Sequence, residues 1–158
     1  MQRNPSIQFV DFHRGGGTWN EEEQKLEKFW PGLPAGSTND GRNVINVEFT
    51  ENYTYAEVEK EWEAQAEPAI EEFQPNLIII CAGFDAHRHD PMGAANLTEQ
   101  DFGTWTRAIV SLAAGLESCH GRVISLLEGG YDTSPSTDGT NGLGKSVEEH
   151  LKALVDRS

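Results

Sequence analysis

The densest run of chemically capable side chains in this sequence is Asp85, His87, His89 and Asp90, inside residues 82–93 (AGFDAHRHDPMG). Two carboxylates and two imidazoles this close together offer the oxygen and nitrogen ligands that suit zinc or another divalent cation. A polar loop accounts for the same residues without a metal. In that reading Asp85 caps a turn, Asp90 fixes the bend at Pro91, and both histidines are solvated. A second cluster is Glu128-Gly129-Gly130-Tyr131-Asp132. Paired glycines let a backbone turn sharply and come close to a ligand. A tyrosine held there can donate a hydrogen bond to a developing oxyanion, or simply pack its ring over the strand end.

Both clusters follow apolar runs, and those runs must position them. Residues 77–81 (LIIIC) are continuously apolar, which predicts a strand covered on both faces and a buried Cys81. Residues 122–127 (RVISLL) read similarly. Residues 6–12 (SIQFVDF) form an earlier strand stopped by the glycines at 15–17, and residues 43–49 (NVINVEF) alternate apolar with polar positions. Tyr55, Val58, Trp62, Ala66, Ile70 and Phe73 recur at steps of three and four, which predicts a helix kinked or split at Pro68. A further helix is capped by Thr98 with Asp101 three residues on, and buries Phe102, Trp105, Ile109, Leu112 and Leu116. The last helix carries Val147, His150, Leu151, Leu154 and Val155, after a polar, glycine-rich loop over residues 132–142. The order β–β–α–β–α–β–α predicts an α/β fold: a three-layer, mostly parallel sheet with helices on both faces. Function in such sheets gathers at the carboxyl ends of the strands. Asp11, His13 and Arg14, then Asp85 to Asp90, then Tyr131 and Asp132 follow three of the four strands.

Composition narrows the class. The chain has 158 residues, with 26 Asp and Glu against 12 Lys and Arg, for a formal charge of −14. That sign argues against direct binding to nucleic acid and to anionic membrane surfaces. No apolar run reaches bilayer length and the first residues lack a signal-peptide core, so the expectation is an acidic, single-domain protein of the cytoplasm or nucleus. Nine glutamates against one lysine in residues 48–72 account for more than half of the net charge, and read as a solvated helix face. Cys81 and Cys119 share no metal-ligand spacing, and a reducing compartment is expected.

Taken in order, AGFDAHRHDPMG, LTEQDF and RVISLLEGGYD resemble the histone deacetylase superfamily, nearest its class II type and the acetylpolyamine amidohydrolase and acetoin-utilisation relatives. FWPG (residues 29–32), NVINVEF and IEEFQPNLIIICAGFD are similar as well, so the resemblance runs over residues 1–158 but matches only the C-terminal part of the family's domain. It implies an arginase/deacetylase-like fold, incomplete in this chain. It also implies a zinc-dependent hydrolase that removes acetyl groups from lysine or polyamine nitrogen. By resemblance Asp85 is a zinc ligand, Tyr131 is the catalytic tyrosine, and Gly129 and Gly130 form the turn that presents it. His87 and His89 are not ligands in that family.

The Zn2+ site implied by the resemblance is incomplete here, since a catalytic zinc takes about three protein ligands and the family's Gly-His-His segment has no counterpart. Asp11 and His13 are the candidates for its Asp-x-His pair, because Asp11-Phe12-His13-Arg14-Gly15-Gly16-Gly17-Thr18 mimics Asp-x-His-His-Gly-x-Gly-Thr with arginine in place of the second histidine. The competing alignment sets NPSIQFVDFHR on the next family strand, which ends in His-Arg. It is preferred because only one strand precedes FWPG. The expectations are an inactive portion of a deacetylase, pairing with a missing N-terminal half or a corepressor-type protein, or else a non-catalytic acidic interaction module. A small metal-binding protein using Asp85, His87 and His89 is the reading that stands apart from the resemblance. A half-domain should also leave apolar strand surface exposed.

Overall fold

In residues 9–14 and 44–49 polar and apolar side chains alternate, and pairing sorts them onto opposite faces. The computed structural model describes residues 6–23, 25–28, 43–134 and 142–156, so FWPG and most of the linker at 132–142 lie outside the described residues. Strand β1 (Phe9–Arg14) runs parallel to β4 (Val44–Phe49), with Asp11 opposite Asn46, Phe12 opposite Val47 and His13 opposite Glu48. Side chains project alternately, so Val10, Phe12, Ile45, Val47 and Phe49 share one face, and Asp11, His13, Asn46 and Glu48 the other. Between them lies a hairpin that the sequence reading lacked. The glycine run does end β1, but the chain returns as β2 (Gly17–Asn20) antiparallel to β3 (Lys25–Lys28). Strands of four residues are too short to show a readable period.

The long helical stretch is continuous in sequence but not uniform. It runs as α1 (Tyr55–Glu61), a π-helical turn over Trp62–Ala66, and α2 (Glu67–Phe73). The expected break therefore lies just before Pro68 rather than at it. Proline has no N–H to offer, and its ring crowds the carbonyl one turn back. The wider turn, with Glu67 N–H reaching Trp62 O, takes up that mismatch.

The chain divides into two compact units, Met1–Glu51 with Lys60–Phe73, and Asn52–Glu59 with Gln74–Ser158. In the first unit the apolar face of β1 and β4 meets the helix, with Phe12 6.2 Å from Phe49 and 6.4 Å from Trp62 between ring centroids. Ala66 and Ile70 are buried alongside.

In the second unit β5 (Ile78–Ala82) runs parallel to β6 (Val123–Leu127). Helices α3 (Glu99–Gly115) and α4 (Gly142–Val155) pack on each other. The cap of α3 is as the sequence indicates. Asp101 Oδ2 accepts from Thr98 N at 2.7 Å and from Thr98 Oγ1 at 2.8 Å. Covering of the β5–β6 pair is one-sided, contrary to the reading of LIIIC. Ile79 and Leu126 are each 55 % exposed and Cys81 is exposed, so one face of the pair stays open. Cys119 is a buried free thiol.

The buried side of α4 also departs from the apolar stripe. Leu151 and Val155 are exposed, while Gly142, Ser146, His150 and Ala153 face inward, since small residues let the helix sit close. His150 is the keystone of that contact. Thr106 Oγ1 donates to Phe102 O at 2.7 Å, so its lone pair must receive the Nδ1–H of His150, also at 2.7 Å. The bare Nε2 then accepts from Ser125 Oγ at 2.8 Å, which ties α3, α4 and β6 together. Phe84 stacks edge-on against both Phe102 and His150.

Burial holds the His150 imidazole below its ordinary value of 6.5. A depressed imidazole binds its proton more readily when unfolded, so its contribution is whole above pH 6.5 and fades as pH falls from there through the folded value. We expect the denaturant midpoint to drop between pH 7.5 and 5.5 by more in the wild-type chain than in His150→Asn. Equal drops would mean that His150 is not the titrating group.

Candidate functional site

The parallel ladder of β5 and β6 delivers both chemical clusters to one end. Beyond the last paired residues, Glu128 N–H reaches Ala82 O at 3.0 Å and Phe84 N–H reaches Gly129 O at 2.9 Å. These bonds carry the strand geometry into the loops, so Asp85 and the Gly129-Gly130 turn are held side by side. The Asp85 carboxylate lies against backbone where a side chain would not fit. A Cβ on Gly129 would fall 2.8 Å from Asp85 Oδ1, and one on Gly83 would fall 3.0 Å from the same atom. Gly130 has φ +124° and is walled by Leu143 and Phe84, a conformation and a space that suit only glycine.

The loop after β5 is stiffened by its own bonds. Arg88 N–H reaches Leu97 O at 2.8 Å and Leu97 N–H reaches Ala86 O at 3.2 Å, a short bridge that buries Leu97 completely. Asp90 fixes the Pro91 bend, as expected, by accepting Met92 N–H on Oδ1 at 2.8 Å. Its other oxygen does something that the sequence did not reveal. Asp90 Oδ2 accepts the N–H groups of Tyr131 at 2.6 Å and Asp132 at 3.1 Å, clasping the tyrosine-bearing turn. Carboxylate bonds to backbone N–H are the stronger, charge-assisted kind, so the backbone of Tyr131 is anchored while its side chain stays exposed.

Next to this clasp, Asp132 begins the approach to α4. Its Oδ1 accepts from Ser134 N–H at 3.2 Å and its Oδ2 from Gly142 N–H at 3.0 Å, an N-terminal contact for α4. Burial opposes ionisation of Asp132, but these bonds and nearby His87 outweigh it and hold the carboxyl below its ordinary value. The expectation that both histidines are solvated holds for His89 only. His87 is 2 % exposed, and its Nε2 lies 3.3 Å from Glu99 Oε2. A bond from its own backbone N–H holds the Glu99 carboxyl below its ordinary value, with burial opposing and His87 adding to the effect. Neither Asp90 as a clasp nor Glu99 as a partner carries a local signal, because each acts on residues remote in sequence.

Asp11 and His13 stand in the first unit, on the polar face of β1. His13 Nδ1 lies 2.9 Å from Asp11 Oδ2, and the buried Nε2 has no hydrogen-bond partner among the described residues. The Nδ2 of Asn46, opposite Asp11 in the ladder, is likewise buried and unmatched. Burial pushes the Asp11 carboxyl above its ordinary value, against the pull of His13. An imidazole nitrogen left bare beside a carboxylate fits an Asp-x-His ligand pair, and Asp85 in its glycine cradle fits a carboxylate ligand.

Parallel strands with polar side chains at their carboxyl ends are those of an α/β fold, and likeness to solved deacetylase domains places the chain in the arginase/deacetylase fold class. The chain belongs to the histone deacetylase family: the family model described as histone deacetylase domain matches residues 1–147. It is 37 % identical over 114 residues to "Type-2 histone deacetylase 2" of Dictyostelium discoideum, covering 72 % of this chain and 6 % of that protein. It is 30 % identical to "Histone deacetylase HDA1" of Candida albicans, over 92 % of this chain and 18 % of that one. Among solved structures, the HDA15 HD domain superposes with a TM-score of 0.70 at 25 % identity, covering 94 % of this chain and 37 % of that one. The histone deacetylase Clr3 gives a TM-score of 0.69 at 24 % identity, over 96 % and 23 %. The chain thus spans a small part of the curated relatives that it matches.

Filling the glycine turn should damage the site from within. Gly130→Ala forces a left-handed backbone and meets Leu143 at 2.6 Å, so we expect a loss of roughly 1–3 kcal/mol in urea unfolding. Gly129→Ala displaces only the Asp85 carboxylate and should cost less. A Gly130→Ala chain as stable as wild type would show that the turn is not built as described.

Proposed function

We propose that this chain supplies the Asp85 and Tyr131 side of a zinc-dependent amide-hydrolysing site acting on acetylated lysine or acetylated polyamine. The observation that carries the reading is the Asp85 carboxylate cradled by Gly83 and Gly129 beside the turn that leads into Tyr131. Asp85 would hold the metal, and the further ligands would come from the complement. A zinc ion, when bound, polarises the amide carbonyl and acidifies its water.

The chain's own residues prepare the remainder. Tyr131 donates its phenolic hydrogen to the acyl oxygen as charge gathers there. Asp90 keeps the backbone of that tyrosine in place, so the side chain alone has to move. Gly129 and Gly130 leave room for a substrate chain to pass close to the backbone. No tandem histidine pair is present in the sequence to move protons, so the chain needs a complement to turn over. The exposed apolar face of β5 and β6 is suited to such a complement, whether the rest of a deacetylase domain or a corepressor-type protein. An acidic, non-catalytic interaction module derived from the same fold is the second reading, and the absence of a tandem histidine pair from the sequence favours it.

An acetyl-lysine peptide assay on the chain alone should read background. Robust turnover that Tyr131→Phe abolishes would overturn the need for a complement. Supplied with a protein that carries the His-His and Asp-x-His motifs, the chain should gain turnover, lost by at least a hundredfold in Asp85→Ala or Tyr131→Phe. No gain with any such complement would favour the interaction module.

A further inference from the structure

We propose a second divalent-cation site, distinct from the one at Asp85, formed by His87, His89 and Asp132. One ligand atom from each lies within 4.8 Å of the others. Two ligands bonded to a common zinc at about 2.0–2.2 Å sit at most ~4.4 Å apart, so the three residues have to draw together slightly to share an ion. The sequence alone pairs these histidines with Asp85. The fold instead turns His87 toward Asp132, more than forty residues on.

The tautomer of His87 is settled by its neighbours. Glu99 Oε2 can only accept, so the proton is on His87 Nε2, 3.3 Å away. His89 N–H donates to Nδ1 at 3.3 Å, a long bond through the lone pair that an ion would take over. An imidazole that gives its far N–H to a carboxylate and presents the other nitrogen is the usual preparation of a metal-ligating histidine. That nitrogen and the Asp132 carboxylate face one space. The point where a Cβ on Gly142 would fall is 2.5 Å from His87 Nδ1 and 2.6 Å from Asp132 Oδ2.

His87 and Asp132 are buried and fixed, while His89 is exposed and leaves an approach from solvent. Two imidazoles and one carboxylate suit Zn2+ or a neighbouring first-row ion. An ion there would fasten the loop after β5 to the residue following Tyr131 and to the start of α4. It would reinforce the Asp90 clasp with bonds that depend on metal supply. The site does not depend on the deacetylase reading.

The test is Zn2+ binding to the metal-stripped full chain, followed by competition with a chromophoric chelator and by Co2+ absorption. His89→Ala, a surface change, and Asp132→Asn should each weaken binding at least tenfold. Glu99→Gln should weaken it about ten- to a hundredfold through the tautomer of His87. Asp85→Ala should leave the His89-dependent part of the binding in place. Absence of Zn2+ binding overturns the site, as does binding indifferent to His89→Ala. Loss in Asp85→Ala with retention in His89→Ala assigns the bound ion to Asp85 and also overturns it. Circular dichroism confirms that each variant is folded, and His89→Ala decides the matter if Asp132→Asn is not.

Discussion

Two loops that leave the parallel strands β5 and β6 are joined through the carboxylate of Asp90. One oxygen shapes its own loop at Pro91, and the other takes two consecutive N–H groups from the opposite loop. Backbone donors at a strand end must find an acceptor once water is excluded, and a charged oxygen is the strongest available. Everything of chemical interest in the second unit hangs from that junction. Asp85 lies before it, Tyr131 and Asp132 on it, and the start of α4 beyond it. Truncating Asp90 would leave those N–H groups wanting a partner in the middle of the site.

The support behind this junction is of a different kind. Phe84, Phe102 and His150 form a small aromatic centre, and the His150 ring spends both nitrogens on Thr106 and Ser125. A buried polar ring is tolerable because both of its nitrogens are matched, and each bond fixes the angle of a different element. The α4 face is therefore built from glycine, serine, histidine and alanine. Apolar bulk is displaced outward to Leu151 and Val155, as it is on the open face of β5 and β6. Ile79, Ile124 and Leu126 are exposed there as a contiguous apolar patch.

Much of this was legible without coordinates. The runs at 77–81 and 122–127 announced strands, Thr98 with Asp101 announced a helix start, and Asp85, Gly129, Gly130 and Tyr131 stand at the strand ends where the sequence put them. The hairpin of β2 and β3 was not legible, because four-residue strands have no period to detect. The π-helical turn was half legible: Pro68 marks trouble, but the placement of the relief before it depends on the i to i+5 bond. The bare Nε2 of His13 and the burial of Asn46 were invisible, since both follow from which strand stands beside β1.

The sequence by itself determined the family, the order of the longer strands β1, β4, β5 and β6 among the helices, and which residue types stand at the carboxyl ends. Those are local properties, set by periodicity, caps and glycine turns within a few residues. The tertiary structure decided the partnerships: Asp90 with Tyr131 and Asp132, Glu99 with His87, and Asp132 rather than Asp85 beside the two histidines. It also decided that LIIIC keeps one face open and that α4 buries His150 in place of Leu151. Contacts between residues a dozen or more positions apart depend on strand register and helix rotation, and a shift of one residue in either turns a side chain to the opposite face or away from its partner. Spacing along the chain carries no information about that choice.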